Sequence, residues 1–128
     1  MRDWYGPFYD AIGFELESKG YGYCRYRLTI ANHHLNPIGV VHGGVIYSLV
    51  DYSMGEAVYS VLGNGARAFT TDVEIRYLQS VSEGLLFCET KVLHQGKRII
   101  VCESNVVDDN SVICARASGS FYAQTSDS

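Results

Sequence analysis

No apolar run in the chain approaches the ~18 consecutive residues of a membrane-spanning helix, so the sequence predicts no membrane span. Basic residues are scarce too. Ten Lys and Arg stand against fourteen Asp and Glu, a formal charge of −4, which argues against a general nucleic-acid-binding role. The four cysteines, Cys24, Cys88, Cys102 and Cys114, form no C-x-x-C pair, so neither a zinc site nor a redox pair is indicated. Met1-Arg2-Asp3-Trp4-Tyr5 carries an acid and lacks the apolar stretch of a secretory signal. Thiols without such a signal point to a reduced state in a cytoplasm. No repeat, linker or low-complexity tract divides the chain, and 128 residues suit one domain with an ordinary core. Only residues 124–128 read as a disordered tail.

What the chain does have is a dense loop and helix at residues 36–59, N-P-I-G-V-V-H-G-G-V-I-Y-S-L-V-D-Y-S-M-G-E-A-V-Y. Pro37 and Gly39 punctuate the loop, and Gly43-Gly44 lets backbone approach something closely at the helix start. From Val45 to Leu62 the apolar residues recur at helical spacing over more than half of the circumference. Such a helix is wrapped by other structure rather than laid on a surface. Gly63-Asn64-Gly65 marks its stop. Upstream, residues 1–19 form an aromatic-rich segment, with a short helix beginning near Gly6-Pro7, and residues 21–31 alternate as a first strand. Downstream come four strand-like segments, 67–78, 85–94, 98–107 and 112–123, the last three as antiparallel neighbours. The result is an α+β domain: one long helix and a five-stranded antiparallel sheet. A single sheet covers one side of an all-round apolar helix, and long edge strands invite pairing. A homodimer with a sheet continuous across the two-fold axis is the expectation.

Asp51 lies two turns into the helix, flanked on its face by Tyr47, Met54, Gly55 and Val58. No basic partner is among them. Lost hydration should raise its pKa, as suits a general base. Against this stands the bland alternative of a solvated helix edge. Gly43 and Gly44 offer N–H groups at the electropositive helix start, where a carbonyl oxygen becoming an oxyanion could be held. Asn36 and His42 are the polar loop residues that could orient a reactant, although His42 serves equally well as a group that satisfies loop backbone. His33, His34 and His94 read as bland. A metal site of His33, His42 and Asp51 matches no trusted spacing.

The pattern N-P-x-G-x-x-H-G-G-x-x-x-x-L-x-D-x-x-x-G-x-A resembles that of the hotdog-fold acyl-CoA thioesterases. It is closest to the phenylacetate-degradation (PaaI-like) branch of the 4-hydroxybenzoyl-CoA thioesterase superfamily. Similarity continues through T-T-D-V-E-I-R-Y-L, G-L-L-F-C-E-T-K-V-L-H-Q-G-K-R and A-R-A-S-G-S-F, spanning about residues 20 to 122. The resemblance implies a hotdog fold, in which a long helix is wrapped by antiparallel sheet. It also implies dimers, often paired as dimers of dimers, with active sites at the dimer interface. By the same resemblance Asp51 is base or nucleophile, and Asn36 positions the water or the carboxylate. His42 contacts the thioester, and the Gly43 N–H, with Gly44 beside it, polarises the carbonyl. Thr70, with neighbouring Thr71, supplies a water-holding hydroxyl from the adjacent subunit. Gly96, Lys97 and Arg98 meet the coenzyme A phosphates. No cofactor is implied, since coenzyme A is part of the substrate. Two other readings compete: a hotdog hydratase or dehydratase using His42 with Asp51, and a non-catalytic acyl-CoA-binding module. Thiol release separates the first from hydrolysis, and binding without turnover marks the second. The acyl group is not legible, although Tyr47, Tyr52, Tyr59 and Tyr77 are candidates to line an aromatic pocket.

Overall fold

A computed structural model describes residues 6–124. Expectations that rest on Trp4, Tyr5 or residues 125–128 lie outside the described residues. A short helix, α1 (Pro7–Ile12), begins after Gly6 with proline in its first turn and closes on Gly13 in the left-handed conformation. Two strands follow, β1 (Phe14–Gly20) and β2 (Tyr23–Thr29), then a 3₁₀ turn (Asn32–His34), the long helix α2 (Gly43–Tyr59), and β3 (Arg67–Tyr77), β4 (Leu85–Gln95), β5 (Ile99–Asp108) and β6 (Ile113–Gln124). All strand pairs are antiparallel, in the order β1-β2-β4-β5-β6-β3.

The sheet has six strands, one more than expected. The extra one is β1, whose Glu15, Glu17, Ser18 and Lys19 face water and disguise its period. It is an edge strand with charges spread along it, a common protection against unwanted pairing. Arg25 and Arg27 of β2 hold Glu17 and Glu15 across the hairpin at 2.6 and 3.2 Å. Two other boundaries moved. α2 stops at Tyr59, ahead of Gly63, and β6 takes in Gln124, the first residue of the expected tail.

α2 lies across one face of the sheet. Leu49, Val50, Met54, Ala57 and Val58 meet Cys24, Tyr26 and Leu28 of β2, Leu86 and Cys88 of β4, and Ile100, Cys102 and Val106 of β5, all fully buried. The single chain therefore covers more of the helix than the one side assigned to it from sequence. The least covered stripe has Gly44 and Tyr47 exposed with Ser48 and Asp51 half-buried beside them, spaced i, i+3, i+4 and i+7. Polar groups inside the core are paired. Ser53, Thr90 and Ser104 form a hydroxyl chain with both links at 2.7 Å. Glu56, only 1% exposed, takes Lys19 Nζ at 3.2 Å and the Tyr26 hydroxyl at 3.3 Å. Burial pushes the Cys24 and Cys102 thiols up to about 12 and that of Cys88 to about 11, which keeps them protonated and unreactive.

β6 passes close beneath α2 at Gly119. A methyl group there would stand 2.8 Å from Met54 Sδ and 2.9 Å from the backbone oxygen of Asp72. Gly119→Ala should therefore cost about 1–3 kcal/mol by overpacking, seen as a lower urea midpoint. An unchanged midpoint would mean that the helix stands off the strand more freely than this packing implies.

Candidate functional site

The loop before α2 is folded on Asn36. Its side-chain oxygen accepts the N–H groups of Ile38 at 3.1 Å and Val40 at 3.2 Å, and its own N–H reaches Val40 O at 2.8 Å. Asn36 thus closes a local turn, and in the single chain it makes no hydrogen bond to Asp51. The turn delivers His42 to the N-cap of α2, where its Nδ1 accepts the Gly44 N–H at 2.8 Å. An Nδ1 that accepts leaves the proton of the neutral ring on Nε2, which then faces outward as a donor. The backbone-satisfying role of His42 is thus real.

Capping also separates the two glycines. The Gly44 N–H is occupied by His42. The Gly43 N–H, at the first helical position, has no intrahelical acceptor and no hydrogen bond among the described residues. The expected pair of amides is reduced to one. Tyr77 packs against the same residue, its hydroxyl donating to Gly43 O at 2.7 Å. A methyl group at Gly43 would stand 3.3 Å from that ring, so glycine lets the tyrosine close on the helix start. Tyr77 was named from sequence only as a pocket candidate. Its spacing gave no sign of this contact.

Two turns along, Asp51 Oδ1 accepts the Thr70 hydroxyl at 2.8 Å. Burial raises the Asp51 pKa above the ordinary carboxylate range, and the bond from Thr70 opposes that rise. The upward direction matches the expectation. The origin of the hydroxyl does not: Thr70 belongs to the same chain as Asp51, whereas the resemblance implied the adjacent subunit's strand. Thr71 is on the opposite face of β3, bonded to Ser120 O at 2.8 Å, and does not share the site.

Asp51 and Thr70 form part of the wall of a cavity of about 370 Å³, lined otherwise by Phe8, Tyr52, Gly55, Tyr59, Ala68 and Phe121. Phe8 of α1 stacks on Tyr52 with ring centres 6.1 Å apart. Of the four candidate tyrosines, Tyr52 and Tyr59 line this cavity, Tyr77 packs against Gly43, and Tyr47 lies on the least covered stripe of α2. Phe8 and Phe121 were missed, since nothing in their local pattern ties them to Asp51.

Gly96, Lys97 and Arg98 form the β4–β5 hairpin, with Gly96 N donating to Ile99 O at 2.8 Å. Arg98 O accepts from Ala123 N at 2.6 Å, and Ala123 pairs with Ala68 of the cavity wall. The basic hairpin thus leads into β5, which pairs with β6, the strand that supplies Phe121 to the cavity wall. The three groups weighed as a metal site are engaged separately. His33 meets Ala11 O at 3.3 Å, His42 caps α2, and Asp51 holds Thr70.

A family profile described as Thioesterase superfamily matches residues 38–115, which include the end of the loop, α2, β3, β4 and β5. The chain belongs to the thioesterase superfamily. A relative in Saccharolobus solfataricus, named "Putative esterase SSO1253", is 35% identical over 120 residues, 91% of this chain and 79% of that one. The 1,4-dihydroxy-2-naphthoyl-CoA hydrolase of Listeria monocytogenes is 24% identical over 100 residues, 78% and 81% of the two chains. The E. coli PaaI protein from the phenylacetic acid degradation operon has a similar structure, with a TM-score of 0.85 at 25% identity over 91% of this chain and 83% of that one. The thioesterase is an α+β hotdog domain and, by family, a thioester hydrolase.

The raised Asp51 pKa has a signed consequence. The folded state holds the Asp51 proton to higher pH than the unfolded state does, so stability falls as pH rises through the elevated value. Asp51→Asn keeps an acceptor for Thr70 and removes the buried charge. Its thermal midpoint should equal or exceed that of the wild type at about pH 7, with the gap gone near about pH 3. A variant less stable at neutral pH than at acid pH, relative to the wild type, would contradict the burial of Asp51.

Proposed function

We propose that this thioesterase hydrolyses an acyl-CoA ester with a compact, aromatic acyl group, in a site completed by a second copy of the chain. The observation that carries this is the Asp51–Thr70 pair set into the wall of an aromatic cavity. A carboxylate that has lost water and faces an apolar space suits proton abstraction near neutral pH. The four aromatic rings of the cavity suit a planar acyl group, and the named naphthoyl-CoA hydrolase among the relatives supports the same class.

One chain alone does not bring the parts together. Gly43 and Asp51 are eight residues apart on α2, ~12 Å along its axis, too far for both to act on one carbonyl. Tyr47 stands midway between them. Two α2 helices crossing antiparallel at Tyr47 put Gly43 of one copy near Asp51 of the other. The least covered stripe of Gly44, Tyr47, Ser48 and Asp51 is the surface such a crossing would cover. β3 supports the same arrangement. It is an edge strand of eleven residues with Phe69 and Tyr77 each about half exposed, and two copies would extend the sheet across the axis. A dimer of dimers is compatible with this unit. Free thiols throughout also suit a reducing cytoplasm.

In this reading the thioester oxygen takes the Gly43 N–H at the positive end of α2, and His42 Nε2–H lies beside it. Asp51 of the other copy, steadied by Thr70, removes a proton from water as its oxygen bonds to the carbonyl carbon. The C–S bond then breaks, the proton passes to the departing thiolate, and free acid and coenzyme A leave. Lys97 and Arg98 supply positive charge at the sheet end, where the coenzyme A phosphates would lie. The hydratase reading loses ground because His42 Nδ1 is spent on the helix cap.

The test is a thiol-release screen across aryl-, short- and long-chain acyl-CoA esters, with Asp51→Asn as control. Aryl esters should turn over fastest, and Asp51→Asn should lower kcat at least about 100-fold, the usual scale for a lost general base. Equal kcat in the variant would remove Asp51 from the mechanism. Binding without thiol release in the wild type would favour a carrier role.

A further inference from the structure

Thr70 faces Asp51 only because β3 carries an extra residue. Thr70 pairs with Phe121 of β6, and Asp72 pairs with the next residue, Ser120, so Thr71 is the insertion of a β-bulge. Side chains alternate along a strand, and a one-residue slip reverses the face. Val73 and Ile75 face the core on the helix side, while Thr70, an odd three positions before Val73, faces that side as well. Without the insertion Thr70 would point to the outer face, and the Asp51 carboxyl would lose its one hydrogen bond among the described residues.

The bulge is tied down from that outer face. Thr71 Oγ1 donates to Ser120 O at 2.8 Å. Ser120 N donates to Asp72 Oδ1 at 3.1 Å, and the Ser120 hydroxyl donates to the same oxygen. Both residues of the bulge thus grip both backbone polar groups of the one residue opposite, at the place where the ladder is locally disrupted. Gly119, next to Ser120, is pressed against Asp72 O and Met54, which leaves the β6 side little room to shift.

We propose that Thr71, Asp72 and Ser120 are positioning residues: by pinning the bulge from the outer face of the sheet, they hold the Thr70 hydroxyl on Asp51. The role in turnover rests on Asp51 being the working carboxylate. The positional claim does not.

Two readouts separate these. The first is a carbon-13 titration of the Asp51 carboxyl in wild type, Ser120→Ala, Asp72→Ala, Thr70→Val and the double variant Thr70→Val/Ser120→Ala. Loosening the clasp weakens the bond that holds the Asp51 pKa down, so Ser120→Ala and Asp72→Ala should shift it up. In the double variant the Ser120 change should add nothing to the Thr70→Val shift, because both act through one bond. Ser120→Thr, which keeps the hydroxyl and backbone groups, should titrate like the wild type. The second readout is turnover of an accepted thioester. Ser120→Ala should lose about tenfold in kcat with KM unchanged, as suits a misplaced reacting group. Unmoved Asp51 titration in the clasp variants, or full additivity in the double variant, would overturn the proposal. A wild type that releases no thiol would defeat the thioesterase reading, and the titrations would still decide the clasp.

Discussion

The candidate site depends on a single hydrogen bond between a helix and an edge strand. Asp51 has been drawn out of water by the packing of α2, and the bond from Thr70 compensates part of that loss. Removing water makes a carboxylate a stronger base and also makes it costly to keep. One neutral donor is a compromise between the two. A cation in its place would stabilise the charge and suppress basicity. The chain puts its cation elsewhere: Lys19, half exposed on the edge strand β1, reaches the buried Glu56 further along the helix. Two carboxylates five residues apart on one helix thus have different company and different tasks.

The second constraint is length along α2. A helix fixes the separation of its residues, so a donor at its first position and a base two turns later are held apart by geometry that no side-chain motion removes. In the proposed dimer a second, antiparallel helix would bring the missing group, and symmetry would build two sites at once. The chain covers most of α2 with its own sheet and leaves Gly44 and Tyr47 exposed, with Ser48 and Asp51 half-buried beside them. Tyr77 packs against Gly43 at the start of the same helix.

The helix, the four later strands and the loop before α2 were legible because their periods are strong and their turns carry glycine, proline or paired acids. β1 was not, since an edge strand that shows charges to water has no apolar period to detect. Of the candidate site, the upward pKa of Asp51 could be read from the absence of a basic neighbour at helical spacing, while its proposed role came from the resemblance. The unequal fates of Gly43 and Gly44 could not, because they turn on which way the His42 ring caps the helix. Nor could the bulge: Thr70, Thr71 and Asp72 are all compatible with a regular strand, and only the partner Ser120, about fifty positions away, reveals the insertion. Glu56 illustrates the same limit. A glutamate in a helix reads as surface until the lysine and tyrosine that receive it are seen.

The most direct test of the shared site mixes two inactive chains. Gly43→Pro removes the N–H at the first helical position, after a His42 backbone already extended at φ −61 and ψ 136, and sets its Cβ 3.3 Å from the Tyr77 ring. Asp51→Asn removes the base. Each variant alone should be inactive. Unfolded together and refolded as an equal mixture, they should regain about a quarter of wild-type turnover, since half of the dimers are mixed and each mixed dimer has one intact site. Recovery at that level would locate the donor and the base on different chains, and a mixture as inactive as its parts would contradict the shared site.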